Sequence, residues 1–177
     1  MSSIKKATTN SLQFIIVMGV SGSGKSSIAE KIASQLGYLF VEADDFHSDE
    51  SKEWMASGKP LTNEMREPWV ISVQQYIKKQ LANNVSCVLS YSGLIKSHRD
   101  IFRQLQINIQ FLFLDGSEEL IKGRLKKRQN HFFNPSLLHS QFVALERPFH
   151  NEYDTKVIDI SGDFEQVYKK CLIHLSQ

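Results

Sequence analysis

Eight consecutive residues carry the plainest chemistry in the chain: Gly19-Val20-Ser21-Gly22-Ser23-Gly24-Lys25-Ser26. They satisfy the pattern G-x-x-x-x-G-K-[ST] in full, just after the apolar run Phe14–Met18 and at the start of a helical pattern. Glycines 19, 22 and 24 let the backbone curl without Cβ clashes, so its amides converge into an anion nest. The N-terminus of the following helix adds partial positive charge. Lys25 has the reach for the β- and γ-phosphates, the Ser26 hydroxyl is an oxygen ligand for Mg²⁺, and Ser27 completes the cofactor-binding set. The implied ligand is a nucleoside triphosphate, ATP, with Mg²⁺. Such a loop serves switches and motors as well as kinases, so it does not by itself name a reaction.

A second set follows at Glu42-Ala43-Asp44-Asp45-Phe46-His47. A phosphotransferase with an alcohol acceptor needs one carboxylate near the metal and another that holds the acceptor hydroxyl and can take its proton. Asp44 suits the second role and Glu42 a water-mediated contact to Mg²⁺; a solvated acidic loop capping the next helix is the plainer alternative. His47 offers a contact to a substrate hydroxyl or carboxylate, or is an ordinary loop histidine. Arg66 and Arg99 present guanidinium forks for a substrate carboxylate, and each also fits a simple ion pair. Ser92 lies just past an apolar run, where it can meet substrate or metal. Arg124 and Arg128 are four apart and share a helical face. A closing lid would bring that face onto the phosphates, with Lys25 and Arg128 stabilising the moving phosphoryl group. Basic residues favoured by a helix C-terminus are the alternative there, and Lys126 and Lys127 read as solvated.

These groups need elements to position them. Apolar runs at Phe14–Met18, Tyr38–Val41, Val85–Leu89, Ile107–Leu114 and Lys156–Ile160 read as strands. Helical stripes occupy Ser26–Leu36, Trp69–Leu81, Glu118–Arg128 and Phe164–Leu175. Gly37 ends the first, and Pro68 stands near the start of the second. Pro60, Pro68, Pro135 and Pro148 all read as punctuation between periodic segments. The alternation predicts an α/β fold, a five-stranded parallel sheet between helices, with ligands beyond the carboxyl ends of the strands.

The 177 residues suit one domain, 12–177, after a tail at 1–11. A net charge of +2 gives no argument for nucleic acid or for a membrane surface. Phe14–Met18 is the longest apolar run, far short of a span. Cys87 and Cys171 show neither metal-ligand spacing nor a disulfide framework, which points to a reducing, cytoplasmic setting.

Other segments resemble one family. Met55-Ala56-Ser57-Gly58-Lys59-Pro60-Leu61 with Arg66-Glu67-Pro68-Trp69 is similar to the M-x-x-G-x-P-L…R-x-P-W stretch of the gluconate kinases, the thermoresistant gluconokinase family. The likeness continues through Ser92, Leu94, Lys96, Arg99 and Asp100, through Arg124–Arg128 with His131-Phe132-Phe133, and through Leu137–Glu146. It implies a three-layer α/β/α P-loop kinase fold with an acceptor-binding insert at about 45–68 and a lid at about 124–136. It implies phosphorylation of the 6-hydroxyl of D-gluconate by ATP with Mg²⁺, and a homodimer. The chain departs from the family pattern at Ile95 and His98, where a lysine and a tyrosine are usual, and at Asn63 and Met65, where acids are usual. Lys96 is then the neighbour able to serve the substrate carboxylate. The alternatives are a kinase of the same fold for another small hydroxylated acceptor, and a nucleotide-binding protein without transfer.

Overall fold

The computed structural model describes residues 12–127, 135–148 and 150–176. Five strands form one parallel sheet: β1 (Gln13–Met18), β2 (Leu39–Glu42), β3 (Cys87–Tyr91), β4 (Asn108–Asp115) and β5 (Thr155–Asp159), in the order β2-β3-β1-β4-β5. The helices among the described residues are α1 (Lys25–Leu36), α2 (Asp49–Ala56), α3 (Asn63–Ala82), α4 (Lys96–Arg103), α5 (Glu118–Lys127), α6 (Pro135–Ala144) and α7 (Phe164–Leu175). A short 3-10 turn, Ala43–Phe46, follows β2.

Strand β1 shows why the molecule has three layers. Its side chains alternate between the faces of the sheet, and both faces are dry. Ile15 and Val17 join Ile28, Ile32, Leu112 and Val167 in the core beneath α1 and α7. Phe14, Ile16 and Met18 join Val73, Ile77, Phe102 and Phe111 in the core beneath α3 and α4. With apolar partners on both sides, β1 is fixed in depth and register, and the loop that leaves it starts from a rigid point.

Three features differ from the sequence expectation. Helix α3 begins at Asn63, six residues before Trp69, because the Thr62 hydroxyl caps it by accepting the Met65 N–H. Pro68 therefore sits inside the helix rather than between elements. The carbonyl four residues back belongs to exposed Glu64, so water can satisfy the bond that proline cannot make. Helices α2, α4 and α6 have no counterpart in the sequence expectation. Each is short, and α2 is polar over most of its length, so its apolar periodicity is weak. The remaining element boundaries moved by one or two residues.

Candidate active site

The carboxyl ends of β1, β3 and β2, adjacent in the sheet, open on one cavity of about 380 Å³. Ser21 and Lys25 enter it from the loop after β1, Asp44 and His47 from the turn after β2, and Ser92 and Leu94 from the turn after β3. Arg66 and Trp69 of α3 and Lys52 of α2 form the far wall. Residues far apart in sequence thus converge because parallel strands point their loops to one edge.

The phosphate loop is built as its sequence requires. Gly22 and Gly24 adopt φ of 81° and 99°, in the left-handed region that glycine tolerates. A Cβ on Gly22 would meet the Leu125 side chain at 2.8 Å, so α5 packs directly on the loop. The Gly19 N–H donates to the Ser92 carbonyl at 3.1 Å, which joins the loop to the end of β3. Gly24 caps α1 with no side-chain hydrogen bond, and the first turn of α1 has no acidic residue. The N-terminal end of α1 thus has no side-chain cap among the described residues, the condition for receiving an anion. Lys25 folds onto the Val20 carbonyl at 3.1 Å, so its ammonium lies at the mouth of the loop.

Asp44 faces Lys25 across this mouth. Its side chain is 73% exposed, so the carboxylate is open to the cavity. The polar contact with His47, whose Nε2 lies 3.7 Å from Oδ1, holds the Asp44 carboxyl below the usual carboxylate range. Desolvation opposes that shift, and the charge of Lys25 supports it. His47 is buried and stacked on the Trp69 indole at 4.1 Å between ring centroids, and Trp69 Nε1 donates to the Ala43 carbonyl at 2.7 Å. The stack therefore fixes both the histidine and the turn that carries Asp44. Among the described residues, His47 Nδ1 is buried without a hydrogen-bond partner.

Arg66 is half-buried and has no ion-pair partner among the described residues; its burial lowers its pKa, so the cation is exposed to a desolvation cost that an arriving carboxylate would relieve. Lys52 likewise has no ion-pair partner among the described residues. Among the described residues, three cations, Lys25, Lys52 and Arg66, line the cavity against one carboxylate, Asp44. The balance is positive and suits anionic ligands.

Several expected residues lie elsewhere. Arg99 is fully buried, and its fork holds Glu152 at 2.9 and 2.7 Å while Nη1 donates to the Gly93 carbonyl at 2.8 Å. It braces the turn that carries Ser92 and does not reach the cavity. Lys96 pairs with Asp100 at 2.7 Å and lines a separate depression with Arg103 and Asp154. The cause is α4: its helical turn places Lys96 and Asp100 on one outer face and sends Arg99 inward. Arg124 Nη2 donates to the carbonyls of Ile160 and of Gly162, beyond β5, and does not line the cavity. Glu42 ends β2 half-buried and is not among the lining residues. Arg128 lies outside the described residues, as do the tail 1–11 and residues 128–134 of the expected lid.

Lys52 and Gln141 are cavity residues that the sequence reading did not single out. Both sit on helices that were missed. The signals were present: Ser48 followed by Asp49 and Glu50 is a helix start, and Pro135 is a favoured first residue.

Mg²⁺ fits the donors here. The Ser26 hydroxyl lies 3.4 Å from that of Ser90 in β3, and Asp44 lines the cavity that the phosphate loop opens on. These are hard oxygen donors, and among the described residues no group of three or more His, Cys, Asp or Glu could hold a metal unaided. A cation that keeps its waters and shares phosphate oxygens matches such a sparse set.

Over 173 residues the chain is 40% identical to a probable gluconokinase of Dictyostelium discoideum, covering 91% of this chain and 85% of that one. It is 39% identical over 163 residues to the thermoresistant gluconokinase of Escherichia coli (strain K12), covering 91% and 93% of the two chains. This chain belongs to the gluconokinase family. It also belongs to the wider shikimate kinase family, whose model matches residues 21–176. The crystal structure of a gluconokinase from Sinorhizobium meliloti 1021 superposes with a TM-score of 0.85 at 36% identity, covering 93% of this chain and 91% of that one. Family membership makes the protein an ATP-dependent small-molecule kinase and accounts for the layers, the strand order and the loop at one stroke.

Proposed function

We propose that this protein transfers the γ-phosphate of ATP to the 6-hydroxyl of gluconate, giving 6-phosphogluconate and ADP. The observation that carries the proposal is that the phosphate loop, Asp44 and Arg66, which has no ion-pair partner among the described residues, share one cavity. The resemblance and the gluconokinase relatives support gluconate as the acceptor. The cavity's excess of positive charge is what an aldonate carboxylate beside a triphosphate requires.

The loop amides and Lys25 hold the triphosphate. Ser26, with waters and phosphate oxygens, would hold Mg²⁺, which supplies charge neutralisation when bound. Asp44 accepts a hydrogen bond from the acceptor hydroxyl and orients it in line with the terminal phosphate. Because His47 and Lys25 keep its pKa low, Asp44 is a weak base, and it takes the proton late, as the new P–O bond forms. That timing suits a loose phosphoryl transition state, in which the attacking oxygen needs position more than prior deprotonation. Arg66 pairs with the substrate carboxylate, and His47 offers its ring nitrogen to a hydroxyl. Ser92 meets the substrate, Glu42, outside the cavity lining, would reach Mg²⁺ only through water, and Arg128 steadies the moving phosphoryl group.

Among the described residues no helix is long and apolar enough to cross a membrane. We place the enzyme in the cytoplasm and expect a homodimer. ADP release measured over a panel of aldonates and shikimate tests the acceptor. Gluconate should be turned over fastest, and turnover of another acceptor with no aldonate active would reject the assignment.

A further inference from the structure

The amide oxygen of Gln141 accepts the backbone N–H of Ser21 at 2.7 Å. Ser21 is the third residue of the phosphate loop, so a donor that the loop would offer to a phosphate oxygen already holds a side-chain carbonyl. The contact joins parts of the chain 120 residues apart, and both residues line the cavity that Asp44 and Arg66 face. It therefore lies at the acceptor end of the loop, where the phosphate to be transferred must sit.

Helix α6 holds Gln141 on a firm base. Leu138 is buried in the core with Leu125 and Ile28. Just beyond the helix, the Glu146 N–H donates to the Leu94 carbonyl at 2.8 Å, and Glu146 Oε2 accepts the Lys96 N–H at 2.6 Å. Gln141 is thus anchored on both sides, and its bond to Ser21 is a contact between two ordered parts.

We propose that Gln141 is a specificity-determining residue for the nucleotide, competing with the terminal phosphate of the triphosphate for the Ser21 N–H. The inference rests on the reading that this loop binds ATP. A phosphate oxygen is charged and makes the stronger bond, so ATP displaces the amide. A diphosphate does not extend to Ser21 and leaves the Gln141 bond in place. Once the phosphoryl group has moved to the acceptor, the Ser21 N–H is vacated and Gln141 takes it again. The Ser21 N–H is thus paired in both states, by the phosphate before transfer and by Gln141 after it, so the loop is never left with an open donor once the phosphate has moved. A ligand shifts such an equilibrium only through its different affinity for the two states, and here the terminal phosphate supplies the difference.

Gln141→Leu and Gln141→Glu test this by calorimetric titration with Mg²⁺ and either ADP or a non-hydrolysable ATP analogue. Leucine removes the competitor, so the triphosphate analogue should bind roughly three- to tenfold tighter while ADP stays within about twofold. Glutamate keeps the shape and places a charged acceptor on the same N–H. It should raise the unliganded melting temperature and weaken the triphosphate analogue at least about tenfold, more than it weakens ADP. Weaker binding of the analogue to Gln141→Leu, or equal shifts for the two nucleotides, would overturn the proposal. Wild-type protein that binds neither nucleotide would instead defeat the ATP reading beneath it.

Discussion

Asp44 is open to the cavity and ionised well below neutrality, which separates orientation from base strength at this position. Asp44→Asn should lower kcat by about 10²- to 10⁴-fold while Mg-ATP affinity stays within a few fold, measured by a coupled assay and titration. The pH profile follows from the same shift. The folded pKa is depressed, so the carboxylate persists as pH falls, and its protonation should cut kcat/KM only below about pH 4. An acid limb near neutrality would mean that another group limits the reaction. Arg66 stands in a different relation to the substrate. It is a partly buried cation with no carboxylate partner among the described residues, so Arg66→Met should raise the KM for the acceptor by roughly 10- to 100-fold and leave nucleotide affinity unchanged. Comparing the two variants distinguishes a residue that acts on the reacting hydroxyl from one that acts on the far end of the substrate.

At the scale of elements, the turn after β3 is held by a buried ionic brace. Arg99 joins Glu152 to the Gly93 carbonyl, Arg103 adds bonds to Glu152 and Asp154, and the neighbouring Ser92 carbonyl receives the first glycine of the phosphate loop. Burial disfavours the Glu152 charge, but the hydrogen bonds from the two arginines outweigh it and lower its pKa. A depressed folded pKa contributes stability above the ordinary glutamate value of 4.5 that is lost as pH falls through the folded value. Glu152→Gln should therefore destabilise the protein by about 3–5 kcal/mol at neutral pH and flatten its acid unfolding limb, read by thermal melts across pH. Residues of this brace differ from the phosphate loop in how far their roles are written locally in the sequence. The motif Gly19–Ser26 was legible because its chemistry is written in consecutive residues. The parallel sheet was legible because both of its faces are apolar. Arg99 was not, since its role depends on α4, a short helix whose direction is set by packing, and on Glu152, 53 residues away. Lys52 and Gln141 were missed for the same reason: their helices are short, and tertiary contacts place them. Arg66 and His47 could be picked out by type, but only the stack of His47 on Trp69 shows what holds the histidine there.

The whole molecule is one sheet with two cores, and each core carries a cysteine. Cys87 belongs to the core with α3, and Cys171 to the core with α1 and α7. Burial pushes the Cys87 thiol up to about 11 and the Cys171 thiol up to about 12, so neither forms much thiolate near pH 8. Native protein should resist a thiol reagent at that pH, and in denaturant both cysteines should react together, since β1 belongs to both cores and couples their unfolding. Saturating Mg-ATP should slow both reactions, read by mass spectrometry of the labelled chain. Labelling of one cysteine well before the other would show that the cores open separately.

All of these scales meet in one transfer, from the nucleotide on the loop to the hydroxyl held by Asp44. The most direct test is a ³¹P NMR time course of wild-type enzyme with ATP, Mg²⁺ and gluconate. The account predicts that the γ-phosphate signal is replaced, mole for mole, by a phosphomonoester at the 6-position of gluconate, with ADP as the other product. ATP that persists, or that yields only inorganic phosphate with gluconate left unmodified, would contradict it.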